Sequence, residues 1–466
     1  MPALPDGTRR TFLRFTLLGA GSVVLAACGV RSTPDRAPIA TAVSLPSPTV
    51  RPSPTQTSLP TATATLAPPP IPAMAKWRVT GYPFRALAGF DETMQRYMQQ
   101  RNIPGGTLAV TRNGKLVLAR GYTFSDDFNF TVQPTSLFRL ASISKPITSA
   151  AVMQLVEQKK LELSATLTSL LKVTPPPGQR TDLRLEKITV LNLLQHLGGW
   201  DRDQSFDPMF RDEIIALALN VRLPIQQTHI MAYMAGQRLD NDPGTKFAYS
   251  NYGFMLLGRI VEKVAGQSYG DYVRANIFEP LRIQRAALAK SLLQSRLRDE
   301  VPYYSTWTGK TVMDNSGKIV PSPYGGFNIE NMDSHGGWVM SAIDLVRFAT
   351  AFDFPDSSPI LTGNSIETIF AMPSVGASNG AYYGCGWEVR PIGNRGRNTW
   401  HNGSLPGTYT FLVRRFDGLN WAMLFNQRDN AADPNSSTYD QIDGMMHQAA
   451  DAVTAWHNYD LFEEYL

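Results

Sequence analysis

Residues 138–148 read Phe138-Arg139-Leu140-Ala141-Ser142-Ile143-Ser144-Lys145-Pro146-Ile147-Thr148, and the meaning of the whole chain turns on this stretch. Ser142 and Lys145 are three apart, so on a helix they share a face. Pro146 marks where that helix starts, because proline is best tolerated in a first turn, where its missing N–H would have no partner. The helix is therefore expected to begin near Ala141 or Ser142. Ser142 would then stand where backbone N–H groups point outward and the dipole is positive. A serine hydroxyl needs a base to become a nucleophile. Lysine can serve only if its pKa falls well below its usual ~10.4, which burial and a helix N-terminus both favour. The same free N–H groups can hold an oxyanion.

By itself S-x-x-K is a common pair on a helix surface, and Ser169 to Lys172 repeats it as an ordinary polar pair near a helix end. Two further stretches give it weight. Tyr249-Ser250-Asn251 lies between Gly244, a loop glycine, and an amphipathic run that begins at Tyr252. Ser250 or Asn251 can cap that helix, while Tyr249 offers a phenol to relay protons and Asn251 an amide to hold a carbonyl. No other Tyr-x-Asn occurs in the chain. His401-Asn402-Gly403-Ser404 precedes a strand pattern at Thr408, where a backbone N–H could face a cleft; two more His-x-Gly triplets stand at His196 and His335.

In this order and at these intervals the three motifs resemble the serine β-lactamase and penicillin-binding protein family, specifically its class C β-lactamase-like branch. That branch includes D-alanyl-D-alanine carboxypeptidases, class C β-lactamases and esterases. The likeness covers nearly all of Phe90 to Asp451, with supporting phrases at Ile188–His196, Phe278–Leu281 and Gly336–Ser341. It implies that Ser142 attacks a carbonyl and that Lys145 and Tyr249 take its proton and pass it to the leaving group. The N–H groups of Ser142 and Ser404, beside Gly403, would form the oxyanion hole, and Asn251 would orient the acyl side. One departure matters. Many β-lactamases have lysine first in the third motif, whereas this chain has His401, mostly neutral at pH 7. It should hold the carboxylate of a β-lactam or of D-Ala-D-Ala less tightly. Trp200 and Trp338 stand in loops that could line an acyl pocket, but core packing is the role expected of each.

The chain has 466 residues and a net charge of +5. That excess is confined to the front: seven basic residues and two acids precede Arg78, and the remainder is balanced, which argues against nucleic acid as a partner. The front is an address label and a spacer. Thr8 to Arg14 resembles a twin-arginine export signal, and the apolar run Phe15–Ala27 is too short to span a bilayer comfortably. Leu25-Ala26-Ala27-Cys28 resembles a lipobox, with Cys28 acylated after cleavage. Residues 28–76 are rich in Pro, Thr, Ser and Ala and are expected to form an extended tether. The other cysteine, Cys385, stands between two glycines and is expected to be a small buried residue. Six histidines without paired ligand spacing argue against a structural metal.

The folded unit is expected over 77–466. Helical spacing occurs at Phe90–Gln100, Ile188–His196, Asp212–Leu219, Tyr252–Ala265, Tyr269–Ile277 and Ala342–Ala351, and a last helix is expected from about Thr438 to Trp456. Strand patterns occur at Gly106–Thr111 and Lys115–Tyr122, joined through Asn113-Gly114, and at Gly386–Arg390, Thr408–Arg415 and Trp421–Asn426. Strands at both ends of a helical middle predict an α+β fold, a mostly antiparallel sheet flanked by helices with a helical lobe inserted. These readings together predict a monomeric, membrane-tethered, extracytoplasmic bacterial serine hydrolase that needs no metal or organic cofactor. Its substrates would be small esters or amides, or D-alanyl peptides of the cell wall. The alternatives are a true class C-type β-lactamase, and a penicillin- or peptidoglycan-binding protein with little turnover.

Overall fold

The computed structural model describes residues 77–124, 130–428 and 439–465; the expected export signal, Cys28 and the tether lie outside them. The domain opens with β1 (Trp77–Thr80), α1 (Ala88–Gln100), β2 (Gly105–Arg112) and β3 (Lys115–Phe124). Asn113 and Gly114, which join β2 to β3, have φ of 50° and 79°, the left-handed pair that a two-residue hairpin turn demands and that Asn-Gly adopts at low cost. Next come β4 (Phe138–Arg139), a 3-10 turn at Ala141–Ile143 and α2 (Ser144–Glu157). The helical middle holds α3 (Leu167–Leu170), α4 (Val190–Leu194), α5 (Asp212–Leu219), α6 (Gln227–Ala235), α7 (Asn251–Ala265) and α8 (Tyr269–Val273). Four short strands follow: β5 (Ala286–Leu288), β6 (Thr308–Lys310), β7 (Ile319–Pro321) and β8 (Trp338–Met340). After α9 (Ala342–Thr350) and α10 (Gly363–Ile369), the chain runs through β9 (Tyr382–Tyr383), β10 (Glu388–Pro391), β11 (Arg397–Leu405), β12 (Thr408–Arg414) and β13 (Leu419–Phe425), then α11 (Gln441–Asp451).

The main sheet has eight strands in the order β1-β3-β2-β13-β12-β11-β10-β9, and every pairing in it is antiparallel. Its two halves come from opposite ends of the domain and meet at β2–β13, where Val110 faces Trp421. This is the expected α+β architecture with a helical insertion. Period-two alternation sorts the strands' side chains between two cores. Trp421, Met423 and Phe425 pack with Phe90 and Met94 of α1 and with Ile442 and Met446 of α11. Ala422 and Leu424 point the other way, into the core shared with α2 and α9.

Every residue of α2 from Ser144 to Leu155 is buried. The helix runs through the interior between the sheet and the helical lobe. Its polar side chains are accordingly paired: Thr148 Oγ1 donates to the Ser334 carbonyl at 2.6 Å, Ser149 Oγ to Cys385 at 2.7 Å, and Gln154 Nε2 to Asn276 and Ile360 at 2.9 Å. Cys385 itself is a fully buried free thiol.

Several element bounds also move. The Ile188–His196 pattern yields only α4, capped by Thr189 and Asn192 in a reciprocal box. The Tyr269–Ile277 pattern breaks after α8 into a π turn at Arg274–Phe278. The last helix spans Gln441–Asp451 rather than Thr438–Trp456. Trp338 is a strand residue with no exposure, its indole donating to Tyr269 at 3.1 Å, and Trp200 packs edge-on against Tyr252. Both are core residues.

Candidate active site

Ser142 is placed by a sharp reversal. β4 pairs with β8, Leu140 donates its N–H to the Trp338 carbonyl at 2.8 Å, and Ala141 then adopts φ 49°. A left-handed alanine costs about 1–2 kcal/mol, a strain that the flanking pairings sustain. The 3-10 turn that follows delays α2 to Ser144, two residues later than the sequence suggested. Ser142 therefore sits on the tight turn before the helix rather than in its first α-turn. It is partly exposed, whereas its neighbours Ala141 and Ile143 are buried.

Lys145 has no exposed surface. Its Nζ lies 3.1 Å from Ser142 Oγ, 2.7 Å from Asn251 Oδ1 and 3.0 Å from the carbonyl oxygen of His335. The last two atoms can only accept, so they take two of the amine's protons. The remaining direction faces Ser142. Burial, reinforced by the charge of Arg202, holds the Lys145 pKa well below the ordinary lysine value, and Asp207 opposes that shift. A neutral Lys145 would therefore turn its lone pair to the Ser142 hydroxyl.

Tyr249 hydrogen-bonds to Ser142 through its side chain, and its ring centroid is 4.7 Å from Lys145 Nζ. Burial pushes its phenol above the ordinary value, so it carries its proton at neutral pH. Ser250 is the N-cap of α7, its hydroxyl accepting from the Gly253 N–H. That cap aims the first helical residue, Asn251, at Lys145. Asn251 Nδ2 in turn donates to Asp207 Oδ2 at 2.6 Å, so the amide bridges the lysine to a carboxylate.

The third motif stands just before β12, as its sequence position indicates, and is itself strand: His401–Ser404 lies inside β11. β10 pairs with β11 only as far as Trp400, so the edge of β11 from His401 onward extends past β10, and the turn carrying Ser142 packs against β11. Gly403 permits that approach. A Cβ there would collide with the Leu140 carbonyl oxygen and Thr410 Oγ1, and Thr410 Oγ1 itself donates to Leu140 at 2.8 Å. Ser404 is exposed.

His401 is buried, and burial together with the Lys145 charge lowers its pKa to about 3. Nδ1 lies 2.6 Å from the Asn402 carbonyl and so carries the proton; Nε2, 2.9 Å from the Tyr383 hydroxyl, accepts from it. Both ring nitrogens are engaged and the ring is uncharged.

Five neighbours were not singled out as site residues in the sequence. His196 Nδ1 accepts from the Ser250 N–H at 3.1 Å and its ring lies 4.2 Å from that of Tyr249. His335 supplies the carbonyl to Lys145. The two His-x-Gly triplets set aside as repeats of a weak signal thus both brace the site. Asp207, Arg202 and Tyr383 had no local signal at all: they are common residue types brought in from loops and a short strand.

A hydroxyl, a buried amine and a half-buried phenol at one turn, beside an open strand edge, are the equipment of a serine hydrolase of the β-lactamase/transpeptidase type. The sequence profile of the beta-lactamase family matches residues 90–443, and the chain belongs to that family. Protein flp of Staphylococcus aureus (strain MW2) is 25% identical over 326 residues, which are 69% of this chain and 59% of that protein; the chain spans about three fifths of such relatives. The probable fimbrial assembly protein FimD, serogroup H1, of Dichelobacter nodosus is 37% identical over 134 residues, 29% of this chain and 31% of that one. Among solved structures, the octameric penicillin-binding protein homologue from Pyrococcus abyssi superposes with a TM-score of 0.57 at 23% identity, covering 77% of each chain. The D-amino acid amidase from Ochrobactrum anthropi SV3, complexed with L-phenylalanine amide, gives 0.60 at 19% identity, covering 80% of this chain and all of that one. At these identities the two structures share the fold.

Proposed function

We propose that this protein hydrolyses small esters or amides, or D-alanyl peptides, through a covalent acyl-serine at Ser142. The observation that carries the reading is the fully buried Lys145 amine held 3.1 Å from a partly exposed Ser142 Oγ. Lys145 takes the Ser142 proton as Oγ attacks the substrate carbonyl. The developing oxyanion is held by the N–H groups of Ser142 and Ser404, an interaction worth about 3–4 kcal/mol of barrier in such sites. Tyr249, whose phenol stays protonated, hands a proton to the departing alcohol or amine and recovers one from Lys145. Water on the Tyr249 side then attacks the acyl-serine as its proton passes through the phenol to the again neutral Lys145, and that proton goes to Ser142 Oγ as the acid leaves. Asn251, tied to both Lys145 and Asp207, holds the acyl side.

The neutral, doubly engaged His401 favours esters over substrates that present a carboxylate on the leaving side, because it offers no cation to the carboxylate of a β-lactam or of D-Ala-D-Ala. Turnover of p-nitrophenyl acetate, a chromogenic cephalosporin and a D-Ala-D-Ala peptide tests the substrate class. The ester is expected to lead; a leading peptide would favour a D-alanyl peptidase, and rapid cephalosporin turnover a true β-lactamase. We further propose that the enzyme works outside the cytoplasm on a lipid anchor at Cys28, with residues 28–76 as the tether, and acts as a monomer.

A further inference from the structure

Arg202 is a second cation at this site, and the reaction above does not use it. Its Cζ stands 4.4 Å from the centroid of the Tyr249 ring, so it lies within a few ångströms of the group that meets Ser142. The side chain is 23% exposed, and its Nε is buried without a hydrogen-bond partner. Its ion-pair partner is Asp203, at 3.9 Å and with a mostly exposed side chain, too distant and too solvated to neutralise it. Contact with an aromatic face contributes about 0.5–2 kcal/mol, which leaves the guanidinium's fork of N–H donors unspent. Arg202 also shares a loop with Asp207, the carboxylate that holds Asn251, and Asn251 is the residue to which the proposed reaction gives the acyl side. The neutral His401, whose ring centroid is 6.5 Å from that of Tyr249, brings no charge.

We propose, building on the hydrolase reading, that Arg202 recognises a carboxylate carried by the acyl portion of the substrate, so that the preferred substrates are half-esters or half-amides of dicarboxylic acids. A guanidinium matches a carboxylate in two parallel hydrogen bonds, which a lysine cannot reproduce. Seating that anion also offsets the field by which Arg202 lowers the Lys145 pKa, so the right substrate strengthens its own base.

The test pairs mono-p-nitrophenyl succinate with p-nitrophenyl butyrate, acyl chains alike in length but differing in charge, on the full chain. The ratio of their kcat/KM values is expected to fall about tenfold to a hundredfold in Arg202→Gln, the worth of a charge-assisted pair, and to recover in part in Arg202→Lys. An unchanged ratio, with both esters slowed alike, would mean that Arg202 merely steadies Tyr249 and would overturn the proposal. A second arm needs no turnover: glutarate binding to Ser142→Ala by calorimetry. Its Kd should rise at least about tenfold when Arg202→Gln is added; an equal Kd, or no binding to Ser142→Ala, also overturns the proposal. Glutarate binding that depends on Arg202, with neither ester hydrolysed by the wild type, would sink the hydrolase reading while leaving the carboxylate site standing.

Discussion

Lys145 Nζ lies 3.1 Å from Ser142 Oγ, and the amine is sealed from water while the hydroxyl is not. That asymmetry separates a base from a surface ion pair. An ammonium buried among neutral partners loses its hydration, so the neutral form gains. Activity should therefore need deprotonated Lys145 and fall as pH drops through its lowered pKa. The acid limb of kcat/KM, measured on an ester whose own ionisation is constant, is expected well below ~10.4. Lys145→Ala should cost at least about a hundredfold in kcat, the usual scale for a lost general base. A limb at the ordinary lysine value would contradict the assignment.

Asp207 predicts a shift in the same profile. Its carboxylate raises the Lys145 pKa against burial and Arg202. Removing the charge in Asp207→Asn should lower that pKa, keep the base deprotonated further into acid, and move the acid limb to lower pH. The same change weakens the 2.6 Å hold on Asn251, so kcat at the plateau should fall too. An acid limb that moves to higher pH would reverse the electrostatic reading.

Gly403 gives a steric prediction. Because a Cβ there would strike Leu140 and Thr410, Gly403→Ala must push β11 away from the Ser142 turn. Overpacking of this kind costs about 1–3 kcal/mol, measurable by denaturant titration. Ester turnover should drop by at least about tenfold, since misplacement by an ångström is costly to catalysis. Wild-type activity and stability in this variant would show that the contact is loose.

The grouping of Ser142, Lys145, Tyr249 and Asn251 was legible because their motifs, each weak alone, resemble one family in their order and intervals; the local spacing added that Ser142 and Lys145 meet across one turn and that Asn251 stands at a helix cap. The hairpin at Asn113-Gly114 was legible because only a few residues adopt its φ values cheaply. Asp207, Arg202 and Tyr383 were not, since nothing local distinguishes an aspartate in a loop that grips Asn251 from one in water. The strand identity of His401–Ser404 was hidden because its two inward positions hold His401 and Gly403 rather than apolar side chains, and its pairing with Phe411 and Thr410 is tertiary information. The extra turn before α2 depends on a left-handed alanine, which no propensity would suggest.

The proposed lipid anchor at Cys28 predicts a fractionation result. Wild-type protein expressed in a bacterial host should sediment with membranes, and Cys28→Ala should appear in the soluble extracytoplasmic fraction with its esterase activity intact. Equal membrane association of the two would refute acylation at Cys28.

The most direct test of the central claim is covalent labelling of the nucleophile. A fluorophosphonate probe, followed by intact-mass and peptide mass spectrometry, should add one label per chain on the peptide containing Ser142, and none to Ser142→Ala. Full labelling of Ser142→Ala, or a label mapped to another serine, would contradict the account.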